Sequence, residues 1–151
     1  MQTNNIKNKN TSRIIVAIFL IIFSILIMIC FFYMKNHKII QINKQKFFVE
    51  LALAEDEQAQ GLGQRKDIKE NEGMLFVFPE KKEHSFWMKD MQFDLDIIWI
   101  EEGKIVYIAK NVSQGSPETI NPKINSDKVL EIKSGLSSKY NFQIGDSVKI
   151  Y

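Results

Sequence analysis

Cysteine is almost absent from this chain: its 151 residues contain one, Cys30. Cys30 lies inside an apolar run, so the rest of the chain holds neither an internal disulfide nor a cysteine nucleophile, and its fold must rest on burial alone. Histidine is nearly as scarce. Only His84 falls after residue 46, which excludes a zinc site assembled from several histidines or cysteines. No G-x-S-x-G elbow, phosphate-binding glycine loop or dinucleotide fingerprint occurs, and neither does a repeat or a low-complexity segment. Acidic residues are missing from residues 1–46, which hold seven Lys or Arg; residues 47–151 hold 13 basic and all 18 acidic residues, a formal −5. Backbone binding to nucleic acid comes from Lys and Arg neutralising phosphates, so the acidic part predicts no nucleic-acid partner.

The first feature that is present is an uncharged run over residues 14–34, rich in Ile, Leu, Phe, Val and Met, with Lys7, Lys9 and Arg13 before it and Lys35, His37 and Lys38 after. An apolar helix of about 20 residues crosses the hydrocarbon core, so the run predicts a single transmembrane anchor. A cleaved secretory signal has a shorter apolar region and a small-residue cleavage site, and Phe31, Phe32, Tyr33, Met34 and Lys35 offer none. A buried core helix would need a far larger domain around it. Basic residues flank the run on both sides and leave its orientation open. The chain therefore divides into a basic tail (1–13), an anchor (14–34), a juxtamembrane linker (35–46) and one domain (47–151) of about 105 residues, enough for a single core.

From Phe47 onward apolar residues alternate or come in short runs broken by turn residues, the pattern of strands. It predicts strands over 47–53, 74–78, 85–88, 95–100, 105–112, 129–132 and 147–151. The clearest pairing sets 97–100 against 105–108 through Glu101-Glu102-Gly103-Lys104, with Gly103 supplying a positive φ. Short helices are expected at 55–60, acidic in its first turn though Ala54 offers no capping oxygen, and at 134–140. Six or seven strands in this length predict a mainly β domain, either a jelly-roll-like β-sandwich or a partly closed barrel.

The densest chemistry lies in Glu72-Gly73-Met74-Leu75-Phe76-Val77-Phe78-Pro79 and in His84-Ser85-Phe86-Trp87-Met88-Lys89, continuing to Leu95-Asp96. With Gly61-Leu62-x-x-Arg65 upstream, and Val129-Leu130-Glu131-Ile132 and Gly145-Asp146 downstream, these blocks resemble the DUF192 family of uncharacterised prokaryotic proteins. The resemblance implies a β-rich, jelly-roll-like domain, often behind a signal peptide or anchor and so outside the cytoplasm; it brings no established activity. The chain departs from the family pattern at Gly63, Asp90-Met91 and Asp94, and residues 114–122 lack the cysteine pair of many members.

The polar positions that fall on that pattern are Arg65, Glu72, Lys89, Asp96 and Glu131; with Trp87 they form the candidate binding set. Charged residues rarely sit among strand cores unless paired. One reading is therefore ion pairs, Arg65 with Glu72 or Lys89 with Asp96. The other is a pocket in which Arg65 and Lys89 receive an anionic or polyol ligand while a carboxylate orients it. Phe86, Trp87 and Met88 are bulky enough for a core, and Trp87 beside Lys89 also suits a recess wall. Asp90, Asp94 and Asp96 invite calcium, but the spacing of a calcium loop is missing and no metal or cofactor is expected. Ser85 and His84 are neighbours on an extended chain and point apart, which argues against a nucleophile and base. The residues thus predict a membrane-bound, non-catalytic module for a small ligand or an envelope protein, and the resemblance implies that it lies outside the cytoplasm. The alternative is a small hydrolase using Glu72, Asp96 or Glu131.

Overall fold

The computed structural model describes residues 3–151, and the chain divides into two units, Met1–Asn36 and His37–Tyr151. The first is one helix, α1 (Thr3–Asn36). Its segment Arg13–Phe31 has a mean hydropathy of 3.4 and is long and apolar enough to cross a bilayer. Its apolar side chains are exposed, unlike those of a core helix. This is an N-terminal apolar helix compatible with a single-pass anchor or a signal peptide. The side chains of Lys7, Lys9, Phe32, Met34 and Lys35, which bear on the flanks and the aromatic end of the run, lie outside the described residues.

The second unit is built on β1 (His37–Ile42), β2 (Gln45–Ala52), β3 (Glu72–Glu83), β4 (Leu95–Glu101), β5 (Lys104–Val112), β6 (Asn125–Lys133) and β7 (Val148–Ile150), with short helices α2 (Glu55–Gln60) and α3 (Leu136–Lys139). The strands form one sheet in the order β5-β4-β6-β3-β2-β1-β7. Every pairing is antiparallel except β2 with β3. The β4–β5 hairpin closes with Glu101 opposite Lys104, and both central residues take positive φ, 48° at Glu102 and 69° at Gly103. That geometry matches the right-handed twist of its strands.

The sheet curls until its two edges meet. The Val148 amide donates to the Gly103 carbonyl at 2.7 Å and the Gly145 amide to the Ile105 carbonyl at 2.8 Å, so the segment leading into β7 closes on the start of β5. Of the two expected architectures this is the partly closed barrel. Strand alternation gives each face its own core. The interior face buries Ile40, Ile42, Phe47, Leu75, Ile98, Leu130 and Ile132, joined by Leu136 and Phe142. The outer face presents Met74, Phe76, Ile97, Trp99 and Val129, and is covered by Leu62, Ile68, Phe86 and Met88 from the connecting loops.

Two expectations are corrected. Residues 37–42, assigned to a linker, form β1: His-Lys-Ile-Ile-Gln-Ile places Ile40 and Ile42 at zero exposure, and β1 joins β2 to β7. The polar residues among them obscured the strand. Residues 85–88 do not form a strand; Phe86 makes one isolated bridge to Ile120.

A parallel β2–β3 pair requires a crossover, and α2 with residues 61–71 supplies it. The Glu57 carboxylate accepts from the Leu53 and Ala54 amides at 2.9 and 3.0 Å, the half of a capping box that needs no side chain at Ala54. Gly61, at φ 53°, ends the helix and turns the chain over the outer face.

Candidate functional site

Glu131 lies in the middle of β6, between Met74 of β3 and Ile97 of β4, and faces the outer core. The strands approach closely here: a Cβ on Gly73 would stand 2.5 Å from the Glu131 carbonyl oxygen, so only glycine fits. Above the carboxyl sits Gly61, whose added Cβ would meet the Phe76 ring at 3.3 Å and Glu131 Oε2 at 3.5 Å. The Glu131 side chain is therefore roofed by the α2–loop junction. The Leu62 amide donates to its carboxyl, yet burial dominates and pushes its pKa up to about 8. Oε2 has no hydrogen-bond partner among the described residues. The apolar setting therefore favours the neutral acid over the carboxylate.

Glu131 borders a recess of about 220 Å³ whose lining includes Leu62, Phe76, His84, Phe86, Trp87 and Lys89. The imidazole of His84 is buried and stacks on Phe78 with centroids 3.5 Å apart. Burial holds its pKa below the ordinary histidine range, and its Nε2 also lacks a partner among the described residues. Phe86 meets Phe76 edge-on at 4.9 Å and fixes one wall. Trp87 is 57% exposed, whereas its neighbours Phe86 and Met88 are buried. Alternation along the extended segment thus makes Trp87 a wall of the recess rather than a core residue. The buried tryptophan is Trp99, whose indole donates to the His84 carbonyl at 3.0 Å and holds that segment in place. Lys89 is exposed at the rim.

The recess thus gathers three of the six candidate residues, Trp87, Lys89 and Glu131. Arg65 stands near enough to act electrostatically on Glu131 but is engaged by Glu50, in a two-pronged pair of 2.5 and 2.8 Å that holds Glu50 below the usual carboxylate range. The expected Arg65–Glu72 pair does not form: Glu72 binds Lys69 at 2.8 Å. Nor does Lys89 pair with Asp96. Asp96 faces Ile132 across β6 while its neighbour Ile97 faces Glu131, so alternation sends its side chain to the opposite side of the sheet from the recess. There its wholly buried carboxylate accepts from the amides of Asn111, Gly135 and Ser137 at 2.8, 3.2 and 2.7 Å. Asp94 likewise accepts from the Gln114 amide at 2.8 Å. Among the described residues no group of three or more His, Cys, Asp or Glu is arranged to hold a metal ion.

Sequence reasoning did not place His84 or Gly61 at the site: a lone histidine reads as a surface or hydrogen-bonded residue, and either Gly61 or Gly63 as the end of the helix at 55–60. The one signal for Gly61 was its place in the Gly61-Leu62-x-x-Arg65 block.

Comparison with known proteins places this geometry in context. The family model DUF192, described as an uncharacterized ACR, matches residues 33–150. In shape the chain is similar to the crystal structure of a putative transcription regulator from Sinorhizobium meliloti 1021, with a TM-score of 0.73 and 27% identity over 76% of this chain and 93% of that one. It is also similar to a protein of unknown function from Novosphingobium aromaticivorans DSM 12444, with a TM-score of 0.70 and 28% identity over 74% of this chain and 83% of that one. No curated protein matches the chain.

Proposed function

The chain belongs to the DUF192 family, and from that premise we propose that it is a membrane-anchored, extracytoplasmic module that binds a small polar ligand in the recess that Glu131 borders. The observation that carries this reading is the unsatisfied, buried carboxyl oxygen of Glu131, a residue that borders a recess walled by an exposed tryptophan. Buried polar atoms normally find partners, and leaving one without costs on the order of 1 to 3 kcal/mol. A ligand hydroxyl or amine supplies the missing partner. The exposed apolar helix α1 supports the anchor, and protease added to intact cells tests the placement: the domain is digested if it lies outside and protected until lysis if it does not. The similarity to a putative transcription regulator gives no nucleic-acid reading here, because residues 47–151 carry a formal −5.

A hydrolase is the second reading, and it now rests on Glu131 alone. A carboxyl whose apolar setting favours the protonated form, in a recess that His84 also lines, has the character of a general acid. Glu72, tied to Lys69, and Asp96, on the other face, do not reach that recess. A thermal-shift screen of small metabolites on the purified full chain separates the readings. Binding raises the melting temperature of the wild type and not of Trp87→Ala, with the ligand recovered unchanged; chemical conversion that disappears in Glu131→Ala establishes the enzyme. Because Trp87 is exposed, Trp87→Ala itself shifts stability by only about 0.5 kcal/mol or less.

A further inference from the structure

We propose that the ligand of this recess is a neutral cyclic polyol, a single sugar ring that lays one face on Trp87 and directs hydroxyls to Glu131 and His84. The proposal rests on the binding reading above and names its chemical class. Six buried side-chain polar atoms lack a hydrogen-bond partner among the described residues, and two of them, Glu131 Oε2 and His84 Nε2, belong to residues that line this one recess. Their chemistry is specific. A neutral carboxylic acid both donates and accepts, and a neutral imidazole whose ring N–H is taken up by a backbone carbonyl leaves Nε2 as an acceptor. A hydroxyl is the group that matches both partners, since it donates and accepts. An anion brings a charge that the recess must neutralise, and Lys89 is a lone ammonium at the rim rather than a cluster of cations or amides built around an anion.

The walls agree with this class. The exposed indole of Trp87 presents a negative π face to the polarised C–H groups of an aliphatic ring, and Phe76 and Phe86 add apolar surface. About 220 Å³ equals the liquid volume of roughly seven waters and lies below the roughly 300 to 1,000 Å³ of pockets for drug-sized ligands. One ring fits; an extended peptide does not.

The chain carries its own reporter, because it has two tryptophans, of which Trp99 is wholly buried and Trp87 is 57% exposed. Stacking a ring on Trp87 changes the emission of that residue alone. The test is a fluorescence titration of the full chain in a zwitterionic detergent without a sugar headgroup, using glucose, galactose, mannose and N-acetylglucosamine, with acetate and inorganic phosphate as the anion arm. The expected result is a saturable blue shift with at least one sugar and none with the anions. Glu131→Ala weakens that binding by about tenfold or more, and Glu131→Gln, whose amide also donates and accepts, recovers most of the loss. Trp87→Ala, followed by calorimetry, weakens it comparably without altering the melting curve, which keeps the test valid if Glu131→Ala fails to fold. Saturation by acetate or phosphate but by no sugar overturns the polyol assignment while leaving the recess a binding site. No saturation by any probe overturns both.

Discussion

Asp96 and Glu131 are buried carboxyls on adjacent strands of one sheet, and they are provided for very differently. Asp96, on the interior side, accepts from three backbone amides and ties β4 to β5 and to the turn before α3. Glu131, on the outer side, receives one amide, from Leu62, and keeps one oxygen without a partner under a roof of loop. A carboxyl whose lone pairs are filled by the fold is part of the scaffold. One that the fold leaves half-satisfied, next to open space, is available to something else. The same division runs through the whole unit: the interior core is sealed by strands and α3, whereas the outer core is covered by loops, fastened in part by Lys133 to Asp67 at 2.7 Å and Lys139 to Glu70 at 2.6 Å.

If the interior face carries the stability, its largest weak point is β1. Removing residues 1–46 deletes the wholly buried Ile40 and Ile42 and strips β2 and β7 of a shared partner. Burying two such side chains contributes about 3 to 6 kcal/mol before the lost ladder is counted, which approaches the whole stability of a small domain. A chain of residues 47–151 is therefore expected to show no cooperative urea transition, while residues 37–151 unfold in one. A sharp transition from the shorter chain would show that β1 is dispensable.

The interior core was largely legible in the sequence because alternation needs no knowledge of partners: the stretches 47–53, 95–100 and 105–112 read as strands and are strands. Glu102-Gly103 announced its hairpin for the same local reason. The site was less legible because it depends on register. Whether Asp96 or Ile97 looks toward Glu131 is decided by the alignment of β4 with β6, a contact between residues about 35 apart in sequence, and nothing local encodes it. Trp87 stood open between core and recess wall in the sequence. Its bulk beside Phe86 and Met88 suits either place, and the docking of that loop on Phe76 and Trp99 turns its neighbours inward and leaves it outside.

The next largest effect tests the filled carboxylate. Asp96→Ala removes the acceptor for three amides, one buried and two part-buried; a buried unsatisfied donor costs about 1 to 3 kcal/mol and the part-buried ones less, so urea unfolding of residues 37–151 should show a loss on the order of 3 to 5 kcal/mol. Asp96→Asn retains one acceptor oxygen and should lose about half as much. A loss under about 1 kcal/mol in Asp96→Ala would erase the distinction between the two carboxyls.

A smaller effect tests the half-satisfied one, and its sign follows from proton linkage. Burial raises the folded-state pKa of Glu131 from 4.5 to about 8. Below pH 4.5 the carboxyl is protonated in both states and costs nothing. Between pH 4.5 and 8 the unfolded chain releases the proton while the folded chain holds it, so this group lowers stability steadily as pH rises, and the loss is complete above pH 8. Other carboxylates, Glu50 among them, are held below their ordinary range and act in the opposite sense, which is why the wild type alone does not isolate the effect. Glu131→Gln removes the ionisation and leaves the others unchanged. The stability of Glu131→Gln relative to wild type should therefore increase from pH 5 to pH 9 by on the order of 2 to 4 kcal/mol, at about 1.4 kcal/mol per pKa unit less what water entering the recess recovers. Urea unfolding of both proteins at the two pH values measures it. A difference that does not change with pH would mean that Glu131 is solvated as well as Asp96 is hydrogen-bonded, and the outer face would then hold no unsatisfied acid for a ligand to meet.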